Sequence, residues 1–372
     1  MSQVSTGGNY VVDNSTGANV RADINEIYDA ILTMNSGAAE PAYRKAYTFW
    51  ADTGNNLLKM RNTANDGWID LRTLSGGLTS SADASINSVA VGKGANSVAG
   101  NTVLGENALD ASVSGGNNTA IGKDALTTNT TGIQNVAVGS GALDANTTAD
   151  SCVAVGFGAL GGNTTADNNT AVGNGALFQN TTGSNNVAVG AFALDENSTG
   201  GSNTAIGMQA LSSNTTASNN TAVGLNALFA NTTGTRNAAF GGLSLDAVTT
   251  GNDNVGIGYQ AATGITTGSQ NTALGSAALN GTTTASNVTG VGYLALAANT
   301  TGEKNVAVGS LALDANTTGN QNSSLGYAAL GANTTGDGNV AIGQRALTTN
   351  TTASNNTAVG FNALEVNTTG TD

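Results

Sequence analysis

The groups in this chain that could do acid–base chemistry are carboxylates. Histidine is absent from its 372 residues, and Cys152 is the single cysteine. No Ser-His-Asp triad, histidine metal site or imidazole base can therefore be assembled. Paired carboxylates cleave glycosidic bonds when they stand about 5–5.5 Å or about 6.5–9.5 Å apart. Asp110, Asp144, Asp195, Asp246, Asp314 and Glu365 share one column of a 17-residue repeat, but the nearest two are two repeats apart. Strand spacing then separates them by roughly 10 Å, too far for such a pair. Asp150 and Asp167 occupy adjacent repeats and should stack about 5 Å apart. Like charges that close would raise one pKa or recruit a cation, whereas a solvated corner pair does neither. The expectation is a chain with no catalytic residue, no bound metal and no cofactor.

Three other features invite a chemical reading. Cys152 stands in a column otherwise held by asparagine, apart from Val288. It has no nearby base to activate it and reads as a drifted position. The run "GFGALG" at 156–161 matches a dinucleotide-binding glycine pattern, but it is one phase of the repeat and lacks a βαβ setting. Tyr259, Tyr293 and Tyr327 follow the repeat glycine on every second repeat, with Phe157 and Phe361 in the same column. Facing outward they would form a stripe suited to sugar contact; facing inward they would fill space between chains.

What must position these groups is the repeat itself. Sixteen glycines, from Gly105 to Gly360, recur every 17 residues with no insertion or deletion. Such strict self-similarity marks a solenoid, in which a slip in one layer would misalign the next. Four residues after each glycine stands leucine (Leu126, Leu143, Leu160, Leu177 and Leu194 among them), with Ala262 the exception. The "N-V-A-V-G" run alternates like a strand, with both valines on one face and Asn and Ala on the other. "G-A-L-D-A" reads as a second short strand with one leucine pointing inward. "NTTG" or "NTTA" supplies the corner, through left-handed Asn, local Thr hydroxyl bonds and a Gly free to take positive φ. The fold class expected is all-β: a parallel β-solenoid of 17-residue coils stacked at about 4.8 Å, giving a rod of roughly 75–80 Å. Each coil buries about one leucine, one or two valines and a few alanines, little for a single chain. An asparagine ladder would add to this, as would lengthwise packing of chains. Close approach would run through the alanine before each leucine and the small residue two before each glycine. A threefold bundle or an interwound threefold prism would serve.

Residues before about 80 belong to a different design. They hold both tryptophans, the single proline and six of the eleven basic residues. Residues 1–17 read as an arm. Residues 18–37 read as a helix with Val20, Ile24, Ile27, Ile31 and Met34 at heptad spacing, either a trimerising coil or an amphipathic helix on a small domain. Residues 38–78 read as a small β-meander, with strands in "AYTFWAD", "NLLKMRN" and "GWIDLRTL". Its aromatics Tyr47, Phe49, Trp50 and Trp68 suit docking. The repeat shaft takes residues 79–372, so the front end as a whole is a small α+β docking region.

Composition removes several classes of function. Net charge is −13, and residues 81–372 carry five basic against sixteen acidic residues. A surface that tracks phosphates needs clustered Lys and Arg, so nucleic acid is not an expected partner. No apolar run is long enough to span a bilayer, and no secretory signal is visible, so a soluble chain without membrane insertion is expected.

"INSVAVGKGAN" at 86–96 and the "N-[VT]-A-[VI]-G" strands after it resemble the head repeats of trimeric autotransporter adhesins. The front end, "GANVRADINEIYDAI" with "YTFWADTGNNLLKMRNTANDGWIDL", resembles the N-terminal region of phage tail fibre proteins of the marine phage and cyanophage type. The first resemblance implies a trimeric parallel β-roll. The second implies a virion protein, a homotrimer attached through its N-terminus to tail or adaptor proteins and projecting toward a host receptor, a glycan for instance. A bacterial cell-surface trimeric adhesin and a polysaccharide-degrading tailspike are the alternatives.

Overall fold

The computed structural model describes residues 49–55, 57–61, 64, 68–73, 83–86, 88–111 and 113–370. The chain divides into two units, Met1–Ala84 and Ser85–Asp372. The helix seam Val20, Ile24, Ile27, Ile31 and Met34, together with Tyr47, lies outside the described residues.

In the first unit, β1 (Phe49–Asp52), β2 (Leu57–Arg61) and β3 (Trp68–Thr73) form an antiparallel sheet in sequence order. This is the expected meander. A bulge between Leu58 and Lys59 shifts the β2–β3 register.

The second unit opens with β4 (Ala84–Ile86), β5 (Val89–Gly92) and a 3-10 turn, Ala95–Ser97. β5 pairs antiparallel with β6 (Thr102–Gly105). From β6 onward every strand is parallel to the next, through β7 (Thr119–Ile121) and β8 (Val136–Val138) to β21 (Thr357–Val359). Register is one repeat throughout: Val136 faces Val153, Ala137 faces Ala154, Val138 faces Val155. Each residue therefore stacks on its own equivalent, and the unit is a parallel β-solenoid of 17-residue coils.

Each coil carries one three-residue strand, not two. "G-A-L-D-A" is a run of turns, and its leucine takes left-handed backbone, φ 52° at Leu143 and 53° at Leu160. A bulky side chain at positive φ costs about 1–3 kcal/mol. That strain is comparable to the roughly 1.5–3 kcal/mol gained by fully burying a leucine. Leu126, Leu143, Leu160, Leu177 and Leu194 are all 0% exposed, so the leucine column is the spine of the core. Where Ala262 replaces leucine, Ile265 of the same coil takes an inner asparagine's place and is fully buried.

Three further expectations are corrected. The valines do not enter the core: in β8 only Ala137 is buried, while Val136 and Val138 are part exposed. The small columns are not open to an approaching chain: Ala137, Ala142 and nearly all their equivalents are buried inside their own coil. At the "NTTG" corner neither the asparagine nor the closing glycine has positive φ; that conformation falls on Gln134, Ser151, Asn168 and their equivalents. Alanine fits the closing position at Ala149 and Ala166 for the same reason.

Polar side chains fill the interior that the valines leave. Asn135 donates its side-chain amide to the Ala149 carbonyl (2.8 Å), and its backbone N–H donates to Asn118 Oδ1 one coil earlier (2.9 Å). Asn146 donates to Asn129 Oδ1 (2.8 Å) and to the same Ala149 carbonyl (3.3 Å). Two asparagine ladders thus clamp most coils shut and tie them to their neighbours, with gaps where Val248, Ile265 and Thr282 interrupt one of them and Asn231 Oδ1 is left without a partner. The first threonine of each corner reaches the next coil: Thr147 Oγ1 donates to the Thr164 carbonyl at 3.0 Å.

The metronomic glycine has a steric cause. Gly224 has φ 139°, and a Cβ there would lie 2.5 Å from the Gly241 carbonyl oxygen of the next coil. No side chain fits that gap, and L-residues avoid that conformation.

Candidate functional site

The meander and the outer faces of the solenoid carry the groups open to a partner. In the meander, Trp50 is 5% exposed and its ring centroid lies 5.3 Å from that of Trp68, at 58°. Lys59 Nζ sits 5.0 Å above the Trp50 ring and pairs with Asp52 at 2.9 Å. The Arg61 guanidinium lies 5.2 Å over Trp68. Asp52 is fully buried. Burial alone would raise its pKa, but hydrogen bonds from Asn55 and Lys59 outweigh it and hold the carboxyl down at about 2. Three of the expected docking aromatics therefore divide: the indole pair forms the packed centre, and Phe49, 40% exposed, faces out.

Along the solenoid, Tyr259, Tyr293 and Tyr327 are 58, 55 and 50% exposed, so this column points outward. Phe157 (66%) and Phe361 (71%) share it. The stacking register places neighbouring tyrosines two coils, roughly 10 Å, apart.

The acids are held by the coil architecture. Asp150 Oδ1 accepts the backbone N–H of Ile133 at 2.8 Å, and Asp167 Oδ1 accepts that of Asp150 at 2.8 Å. Asn252, Asn320 and Asp337 do the same for Thr235, Glu303 and Asn320. The Asp150–Asp167 pair is one stretch of an outer polar ladder. In the six-acid column, burial lifts the carboxyls of Asp144, Asp195, Asp246 and Asp314 above the ordinary range. Asp195 also accepts a hydrogen bond from Ser212 at 2.7 Å. Among the described residues no group of three or more His, Cys, Asp or Glu is placed to hold a metal ion.

Cys152 replaces one inner asparagine and copies its bonds. Its backbone N–H reaches Asn135 Oδ1 at 2.9 Å, and its thiol donates to the Ala166 carbonyl at 3.3 Å. Burial pushes that thiol up to about 11, far from the reactive range.

A continuous apolar face is what inspection of the alternation missed. The residue before the glycine is apolar in all sixteen coils and points out. Leu104, Ile206, Phe240, Leu274 and Leu325 are 41–49% exposed there. One signal in the repeat would have found it: from coil to coil this column varies from Val to Phe, while the residue before it is Ala in most coils. A tightly packed interior does not accept such volume changes.

Comparison of the chain with family models, with curated proteins and with solved structures finds no match. Within the described residues no helix is long and apolar enough to cross a membrane.

Proposed function

We propose that this chain is a rigid, non-catalytic attachment fibre of a bacteriophage virion. Three copies assemble, the N-terminal region docks to tail or adaptor proteins, and the solenoid holds a receptor-binding surface away from the particle. The observation that carries this reading is the unbroken one-repeat register of sixteen strands, which makes a stiff spacer of roughly 70–75 Å. The likeness of the front end to tail fibre N-termini, described above, supplies the virion setting.

Two features support a mechanical role. Asp150 and Asp167 are engaged with backbone N–H groups, and the one thiol is buried and bonded. Multivalency then supplies adsorption strength: several weak contacts on linked copies act at high effective concentration. The outward tyrosines are the residues we assign to receptor contact, with an envelope glycan as the ligand class.

Imaging of intact particles with a label on this chain tests the reading. Label at the tail, projecting outward, is the expected result; virions without label overturn it.

A further inference from the structure

We propose that the outward face of the strand ladder is the seam along which copies of this chain pack lengthwise. The inference rests on the multi-copy part of the reading above and names its contact surface, which is not the alanine columns.

In every coil the strand presents two outward positions, the residues three before and one before the glycine. Neither is charged in any of the sixteen coils, although the chain carries 35 charged residues. The position next to the glycine is always aliphatic or phenylalanine. Ten of its sixteen residues are between 37 and 67% exposed, Val155, Val172, Ile257 and Ile342 among them. At on the order of 50 Å² of apolar surface per coil, the face offers about 800 Å², the area each partner contributes to a standard stable interface. Solvent-exposed patches on monomers are usually smaller, about 300–600 Å².

The spacing identifies the occupant. Side chains recur along the face at the step of one coil, about 4.8 Å, for the whole stack. A globular partner would cover only a few coils. A partner that stays in step from β6 to β21 must itself be a ladder of that pitch, and the surface that meets this requirement is the same face of another copy. Association would cover the apolar stripe and leave the tyrosines, the outer polar ladder and the corner threonines at the rim.

Cysteine cross-linking in the full-length chain tests this. Ile206→Cys places a thiol on the face, and Thr216→Cys places one on an exposed corner, while Cys152 is fully buried. With a short bismaleimide, Ile206→Cys is expected to give interchain cross-links and Thr216→Cys to remain uncoupled. Adding Val172→Asp, Ile257→Asp and Leu325→Asp to Ile206→Cys should lower the cross-link yield at least about tenfold, because desolvating charges along the face is costly. These positions are outward, so circular dichroism should still show the folded ladder. Absence of coupling at Ile206→Cys, or a yield unmoved by the three acids, overturns the seam. Light scattering on the unmodified protein separates the two readings: a monomer overturns multi-copy assembly and the seam together, and a multimer without face cross-links overturns the seam alone.

Discussion

The meander and the solenoid solve the same problem, too little apolar volume, by opposite means. The meander concentrates chemistry: two indoles, two cations over their rings and a buried aspartate with its lysine, all within three strands. The solenoid disperses it. A typical coil buries a leucine, two alanines and two asparagines, and the stack gains stability by repeating them in register. A local cluster depends on charge and so on pH. A ladder of neutral amides depends on spacing and so on sterics.

That contrast predicts where each unit breaks. The largest effect should come from the glycine column. Gly224→Ala would press a methyl group against the Gly241 carbonyl at unfavourable φ, and we expect a loss of about 3 kcal/mol or more in denaturant unfolding of the ladder. Gly360→Ala, on the last coil, meets nothing closer than 3.8 Å and should cost less, since only its backbone strain remains. Equal losses at both sites would mean that contact between coils is not what fixes the glycine.

Next in size are the inner amides. Asn214 donates to Asn197 at 2.8 Å and accepts from Asn231 at 2.9 Å. Asn214→Val should therefore cost about 1–3 kcal/mol by leaving partners unpaired. Asn231 borders Val248, and its Oδ1 already lacks a partner. Asn231→Val removes only the donated bonds, to Asn214 Oδ1 and the Gly234 carbonyl, and should cost less than Asn214→Val. Thermal melts of the two variants give the comparison directly.

Acid should separate the units. Asp52, held at about 2 in the fold, has an unfolded value of about 3.9. Its contribution is present above about pH 4 and is lost as pH falls toward about 2. The raised carboxyls of Asp144, Asp195, Asp246 and Asp314 have the opposite sign: they favour the fold at low pH and weaken it as pH rises through their folded values. Both tryptophans lie in the meander, so their fluorescence should report unfolding on acidification before the ladder's circular dichroism changes. Asp52→Asn should remove that pH dependence. Simultaneous loss of both signals would contradict it.

The smallest effect is at Cys152. A buried thiol raised to about 11 should resist disulfide reagents in the folded ladder and react on unfolding. Cys152→Asn should leave stability equal or higher by about 1 kcal/mol, by restoring the amide ladder.

How far the fold could be read from sequence follows from the same contrast. The 17-residue period, the strand and the leucine spine are visible because a stacked array repeats its constraints once per coil. The meander strands are visible as aromatic and aliphatic runs between turn signals. The facing of the strand is not legible, because hydrophobicity argues for buried valines while the amides of Asn135 and Asn146 take the interior. That "G-A-L-D-A" is a run of turns and not a second strand is not legible either, because left-handed leucine is rare outside such a tight coil. The direction of the tyrosines could not be derived at all, since a single column next to a glycine at φ near 135° has no alternation to orient it.

The one-repeat register also governs how such a molecule can change length. Every coil meets its neighbours in the same register, so loss or duplication of a block of 17 codons leaves that register as it was, whereas a change of one residue disturbs both sides. Reach is thereby a heritable quantity that moves in whole steps of about 4.8 Å, and the ends can keep their own sequences while the middle grows or shrinks.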